Sequence, residues 1–298
     1  MRALVTGAKG FVGRWLTSHL EAAGDDVVGI DQEVDITDGD ATAEAVRAIG
    51  PDAVYHLAAF THVGDSWGDP DLVMRVNALG TLHVLEAARA LEHAPTVLLI
   101  SSAEVYGAVD PASLPVGETT SLAPVTPYAA SKVAAEYLGV QEHLAYGLPV
   151  IRVRPFNHVG PGQAPGFVVP ALAARVVEAG RSGGTSLTVG NLSARRDFTD
   201  VRDVVRAYRL LVESGTPGEV YNVCSGRDVV IEEIAGALLR LAGTDLELVR
   251  DPALMRPVDV PVVRGDPSKI EKATGWRPEI DLETTLRDIL DDLDARAT

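Results

Sequence analysis

Leu4-Val5-Thr6-Gly7-Ala8-Lys9-Gly10-Phe11-Val12-Gly13 decides the fold, because a short apolar run passes through three glycines into a helical pattern. Val12, Leu16 and Leu20 recur at four-residue spacing between Phe11 and Ala23, and Val27-Val28-Gly29-Ile30 follows as a second β-type run. That is a β-α-β unit. Gly7 permits a tight turn, Gly10 lets a diphosphate approach backbone N–H groups, and Gly13 lets helix and strand pack closely. The spacing is Gly-x-x-Gly-x-x-Gly rather than the Gly-x-Gly-x-x-Gly of the standard dinucleotide fingerprint. The glycines alone therefore do not separate a binding loop from an ordinary strand-to-helix turn.

Outward from this unit the alternation continues through Ala53-Val54-Tyr55-His56-Leu57, Thr96-Val97-Leu98-Leu99-Ile100 and Val150-Ile151-Arg152-Val153. Helix-like stretches near 41–49, 71–92 and 129–146 separate these runs. Near-continuous apolar strands between helices predict an α/β fold, a Rossmann-type doubly wound parallel sheet covered on both faces. After Pro155 the breaker-rich Gly160-Pro161-Gly162-Gln163-Ala164-Pro165-Gly166 marks a boundary. The expected organisation is a dinucleotide-binding domain at 1–165, joined again by 197–223, and a smaller C-terminal α/β substrate domain at 166–298. In the latter part, helices are expected near 170–180, 201–213, 231–242 and 282–294, with a strand at Val220-Tyr221-Asn222-Val223.

The 298 residues are 46% hydrophobic and 23% charged, enough for an enzyme-sized core without metals or disulfides. Cys224 is the single cysteine, and the seven histidines show no metal-ligand spacing, so no metal site is expected. A net charge of −16, from 26 Lys+Arg against 42 Asp+Glu, repels nucleic acid and anionic membranes, and neither is an expected partner. A small anionic ligand would need arginines clustered locally. With no apolar run of about 18 residues and no leader pattern at Met1-Arg2-Ala3, a cytoplasmic protein is expected.

Asp31 ends the second strand 18 residues after Gly13, where a carboxylate accepts from an adenosine ribose and repels a 2′-phosphate. NAD(H) is favoured on that ground. Lys9, inside the glycine loop, offers a cation to the same phosphate and keeps NADP(H) open. Asp35 and Ile36 are placed to cap an adenine ring, and Leu57, Ala58 and Ala59 let a cofactor pass close to the third strand's backbone. Tyr128 and Lys132, four residues apart in Pro127-Tyr128-Ala129-Ala130-Ser131-Lys132, share one helix face. Ser102, in Ser101-Ser102-Ala103-Glu104-Val105-Tyr106-Gly107, stands where ligands of doubly wound sheets bind. The Lys132 ammonium is expected to lower the Tyr128 pKa from about 10 toward neutrality, so that the phenol exchanges a proton with an alcohol or ketone held by Ser102.

The glycine loop, Ser102 and Tyr128-x-x-x-Lys132 together resemble the extended short-chain dehydrogenase/reductases. Within that superfamily, Arg154-Pro155-Phe156-Asn157-His158-Val159-Gly160-Pro161-Gly162-Gln163, Gly190-Asn191-Leu192-Ser193-Ala194-Arg195-Arg196-Asp197-Phe198-Thr199-Asp200 and Tyr221-Asn222-Val223-Cys224-Ser225-Gly226 are most similar to the GDP-4-keto-6-deoxy-D-mannose reductases. GDP-mannose 4,6-dehydratases come second and nucleotide-sugar epimerases third. The resemblance implies a homodimer and a GDP-sugar substrate whose C4 ketone is reduced with NADH or NADPH, giving GDP-D-rhamnose. It implies that Asn157 and Arg196 hold the sugar nucleotide, that Arg256 meets the diphosphate, that Asp259 meets the nucleotide ribose, and that Asn77 props the active site. Ser66 and Trp67 are candidates for the sugar pocket. Glu104 has two readings: the C5 base of a dehydratase, or a carboxylate that orients a reductase's substrate. Ala103 before it can donate nothing to an elimination, which favours the reductase. A non-catalytic NAD(P)-binding sensor on the same fold is the competing class, against which the intact Ser102, Tyr128 and Lys132 speak.

Overall fold

The structure, a computed structural model, describes residues 1–251 and 260–296. Its larger sheet contains β1 (Arg2–Thr6), β2 (Asp26–Ile30), β3 (Ala53–His56), β4 (Thr96–Ile100), β5 (Val150–Pro155) and β9 (Val220–Val223). The spatial order is β2-β1-β3-β4-β5-β9, all parallel. Ala3, Leu4 and Val5 of β1 are all buried, as strands covered on both faces require. Helices α1 (Phe11–Ala22) and α7 (Val201–Ser214) cover one face, where Leu16 and Leu20 meet Tyr208, Leu211 and Trp276. Helices α2 (Gly39–Ile49), α4 (Gly80–Arg89) and α5 (Pro127–Tyr146) cover the other, with Val46, Val84, Leu85 and Leu148 in its core. The direction of winding reverses between β1 and β3. Their carboxyl ends therefore open a crevice, the usual ligand position in such sheets.

The pattern at 71–92 predicts one helix, but the chain forms α3 (Pro70–Met74), a π-helical turn at Arg75–Leu79 and then α4. The wider turn carries Asn77, whose amide is fixed on both sides. Its Nδ2 donates to Ser131 Oγ at 2.9 Å and to Phe60 O at 3.1 Å, and its Oδ1 accepts from Phe60 N at 2.7 Å. Helix α5 starts cleanly because the Thr126 side chain accepts from Ala129 N and Pro127 occupies the first turn. It ends at Gly147, with φ +73°. Tyr128 thus lies in a capped first turn.

The smaller lobe is built on α6 (Val168–Ser182), α8 (Ile231–Leu241) and α10 (Leu282–Arg296), which share a core of Leu172, Val176, Ile234, Leu238, Leu286 and Ile289. Its sheet centres on β8 (Arg195–Asp200), flanked by β10 (Asp228–Val230) and β12 (Val262–Val263) and met at its far end by β6 (Asn157–Val159). A separate parallel pair joins β7 (Ser186–Val189) to β11 (Glu247–Arg250). A short helix, α9 (Ser268–Thr274), follows β12. No helix among the described residues is long and apolar enough to cross a membrane.

Candidate active site

A cavity of about 1780 Å³ runs from the β1–β3 crevice to the smaller lobe. Single drug-sized ligands occupy about 300–1,000 Å³, so this space admits two ligands side by side. At one end lies the glycine loop. A Cβ on Gly13 would stand 2.1 Å from Gly7 O, and one on Gly7, whose φ is +71°, 2.9 Å from Ala58 N. A Cβ on Gly10 would meet only Gly7 O, at 3.1 Å, and its other side is cavity. Gly7 and Gly13 are thus glycines for packing, and Gly10 for open access to backbone. Such a cradle fits a diphosphate.

Phe11 and Val12 continue this wall, and the Phe11 ring stacks on His158 with centroids 6.2 Å apart. Asp31 lines the cavity while Oδ2 accepts from Lys9 N at 2.8 Å and Oδ1 from Gln32 N at 3.0 Å. Asp35 also lines it, but its carboxylate accepts from Thr37 N and Oγ1, which holds its pKa below the usual carboxylate range. Ile36, Leu57, Ala58 and Ala59 supply an apolar floor.

Beneath this floor sits His56, which the sequence marks only as the end of a strand. Thr81 Oγ1 donates its proton to Asn77 O at 2.6 Å, so at 3.0 Å it accepts from His56 Nε2. The imidazole is therefore the neutral Nε2–H tautomer, and Nδ1 accepts from Thr6 Oγ1, which in turn accepts from Ala58 N. Burial pushes the His56 pKa down to about 3. Through Asn77 and Ser131, whose Oγ donates to Tyr128 O at 2.7 Å, this chain of hydrogen bonds reaches the helix that carries Tyr128.

Ser102, Glu104, Tyr128 and Lys132 all line the middle of the cavity, with Ala103 between the first two. Lys132 Nζ donates to Ile100 O at 2.9 Å and stands 6.0 Å from the centre of the Tyr128 ring. The expected lowering of the Tyr128 pKa is not what this arrangement produces. Burial pushes the phenol up to about 12, the Ser102 hydrogen bond pulls it down less strongly, and the Glu104 charge raises it further. Lys132 is itself pushed down to about 8 by burial. Desolvation dominates, and the Lys132 ammonium is committed to a carbonyl rather than to the phenol oxygen. At neutral pH Tyr128 holds its proton firmly.

On the far side Asn157 and Arg196 line the cavity. Asn157 Nδ2 donates to Asp197 O at 3.3 Å, and Arg196 Nη1 donates to Arg195 O at 2.9 Å. Asp197 fixes this region from behind: it accepts from Ser225 N and Oγ, Gly226 N and Gly265 N. Ser66 is not brought to the cavity wall. It is fully buried, its hydroxyl donates to Val63 O at 2.6 Å, and the neighbouring Trp67 lines the cavity instead. Arg256 and Asp259 lie outside the described residues. Arg175 of α6, which no sequence motif marks, lines the same wall with Nη1 donating to Thr188 O. Among the described residues this wall carries Arg175 and Arg196 and no carboxylate, in a chain of net charge −16. No group of acidic, histidine or cysteine side chains among the described residues could hold a metal ion.

A parallel sheet in this order, with its glycine loop and a Ser-Tyr-Lys grouping facing one cleft, defines an extended short-chain dehydrogenase/reductase, the NAD-dependent epimerase/dehydratase class. The GDP-mannose 4,6 dehydratase profile matches residues 32–289, and the chain belongs to that family of NAD(P)-dependent nucleotide-sugar enzymes. It is 42% identical to a GDP-6-deoxy-D-mannose reductase of Pseudomonas aeruginosa, over 99% of this chain and 98% of the relative. The solved structure of RMD from Pseudomonas aeruginosa complexed with NADPH is similar at 40% identity and a TM-score of 0.92, covering 99% of both chains. The Thermus thermophilus UDP-glucose 4-epimerase, solved with NAD, follows at 32% identity and 0.88, again over 99% of both.

Proposed function

We propose that this enzyme reduces the C4 ketone of GDP-4-keto-6-deoxy-D-mannose to GDP-D-rhamnose, with NADH favoured over NADPH. The observation that carries the reading is the grouping of Ser102, Tyr128 and Lys132 in the middle of the cavity, with Tyr128 buried and hydrogen-bonded to Ser102. Reduction needs a proton donor at the forming alkoxide, and a phenol that keeps its proton at neutral pH is that donor. Full-length similarity to a GDP-6-deoxy-D-mannose reductase supports the substrate.

Gly10, Asp31 and the floor at Leu57–Ala59 would hold the dinucleotide, which supplies the hydride when bound. Ser102 orients the ketone oxygen, Tyr128 donates a proton to it, and Lys132, charged below about pH 8, balances the charge left on the phenolate. Arg175 and Arg196, with Arg256, bind the diphosphate, and Asp259 the nucleotide ribose. Asn157 positions the sugar. Asp31 supports NADH because a carboxylate at the ribose edge repels a 2′-phosphate. The domain division at 165, a cytoplasmic setting and a homodimer belong to the same reading. Exposed Leu79 and Tyr137, beside and on α5, support the dimer, which light scattering tests directly.

A second reading, GDP-mannose 4,6-dehydratase, is favoured by Glu104, whose charge reaches Tyr128 from within the same cavity and could act as a base. Net cofactor consumption separates the two. Given GDP-4-keto-6-deoxymannose and excess NADH, the enzyme should oxidise one NADH per 6-deoxyhexose formed. Dehydration of GDP-mannose with catalytic NAD alone would replace the reductase reading with the dehydratase.

A further inference from the structure

Lys9 is the basic residue of the glycine loop, and it lines the cavity beside Asp31 and Gln32. Its ammonium is not directed at the cavity alone. Nζ contacts Glu33 Oε2 at 2.8 Å, while the other oxygen, Glu33 Oε1, accepts from Asp31 N at 3.0 Å. Glu33 itself does not line the cavity. Lys9 N donates in turn to Asp31 Oδ2, so loop and strand end form one closed set of contacts in which Glu33 takes the Lys9 ammonium and Asp31 its backbone N–H. The pairing raises the Lys9 pKa and lowers that of Glu33, as mutual stabilisation of charge requires.

We infer that Glu33 is a specificity-determining residue for the cofactor: by pairing with Lys9 it occupies the cation that an adenosine 2′-phosphate would otherwise use. This rests on the proposed cofactor site and extends it. Asp31 repels the phosphate directly, whereas Glu33 acts from outside the cavity, through Lys9. A bound 2′-phosphate must compete with a carboxylate that a backbone N–H already holds in place, and the local charge of Asp31, Glu33 and Lys9 sums to −1 against a dianion. A free ribose hydroxyl faces no such competition, because it needs an acceptor and Asp31 supplies it.

The test is a double-variant cycle on the full chain, with NADH and NADPH titrated by calorimetry. Glu33→Gln keeps the side-chain length and an oxygen for Asp31 N but removes the charge. NADPH affinity should rise about five- to tenfold, the scale of a charge-assisted contact weakened by solvent, while NADH affinity stays within about twofold. The gain should shrink with added salt. In a Lys9→Gln background the same Glu33→Gln change should bring a gain of less than about twofold, because no cation is left to release. An unchanged NADPH to NADH ratio in Glu33→Gln would overturn the inference and leave the cofactor site standing. A full gain that persists without Lys9 would overturn it too, showing plain repulsion by Glu33. A wild-type chain that binds neither dinucleotide would remove the cofactor site and this inference together.

Discussion

The cavity wall formed by residues 7–132 presents backbone N–H groups, small side chains and the carboxylates of Asp31, Asp35 and Glu104. The wall formed by residues 155–263 presents two arginines, three amides and an apolar lining, without a carboxylate among the described residues. The first is assembled from strand ends and the turns that follow them, with Tyr128 and Lys132 added by the capped start of α5. The second draws Asn157, Arg175 and Arg196 from three elements held together by side-chain ties such as those of Asp197. One wall is a rigid edge and the other an assembled one. That difference suits a recurrent dinucleotide on the first and a particular anionic substrate on the second.

The largest effect expected is on the chemistry between the walls. Tyr128→Phe removes one hydroxyl, and turnover should fall by about 10² to 10⁴, the range of positioned acid–base help, with NADH affinity preserved. Stopped-flow turnover and calorimetry check the two halves of that statement. Wild-type turnover would remove Tyr128 from the proton transfer.

The rigidity of the first wall is challenged next. Arg154 of β5 forms a buried ion pair with Glu136, one turn beyond Lys132 on α5, and its Nη1 donates to Tyr106 OH at 3.0 Å. Arg154→Ala leaves the buried Glu136 carboxylate with only the longer contact to Arg152 Nη1, at 3.5 Å, and should cost up to about 3–5 kcal/mol of stability in denaturant unfolding. A loss below about 1 kcal/mol would mean that Arg152 alone holds Glu136, and that Arg154 is not what seats α5.

Arg175→Ala tests whether the walls act separately. The KM for the GDP-sugar should rise about ten- to a hundredfold, from a lost contact of about 1.5–3 kcal/mol, while NADH affinity holds. Equal weakening of both ligands would show that Arg175 serves the junction of the lobes instead.

The smallest effect concerns His56. Its folded pKa near 3 lies below the ordinary value of 6.5, so on acidification the unfolded chain takes up a proton that the folded chain refuses. Its stabilising contribution is present above about pH 6.5 and is lost as pH falls toward 3. Between about pH 7 and 5.5 this amounts to roughly 1 kcal/mol, read as a shift in urea midpoint. His56→Asn should flatten that part of the pH dependence; an unaltered slope would place the titrating group elsewhere.

How much of this was legible in the sequence follows the same division of walls. Gly7, Gly10, Gly13, Asp31, Ser102, Tyr128 and Lys132 could be read because each sits at a fixed offset from an apolar strand or within one helical turn, and the structure brings all of them to one cavity. The strand carrying Arg195-Arg196-Asp197 had no such signal. It is charged where strand patterns are apolar, and it becomes a strand only by pairing with β10, β12 and β6. Of the candidates Ser66 and Trp67 only Trp67 reaches the wall, because a short 3₁₀ turn at Asp65–Trp67 turns the Ser66 hydroxyl inward to Val63 O.

Local spacing and hydropathy, which act within a few residues, thus determined by themselves the parallel sheet, the dinucleotide crevice and the Ser-Tyr-Lys grouping. Three matters were decided only by tertiary structure: the state of the Tyr128 proton, the tautomer of His56 and the arrival of Arg175 on the cavity wall that carries Arg196. Each depends on desolvation or on partners far away in the chain. Burial of Tyr128 outweighs its hydrogen bond with distant Ser102, and the hydroxyl of Thr81 sets the proton on His56. Those energies arise from what surrounds a group once the chain has closed around it, which neighbours in sequence do not specify.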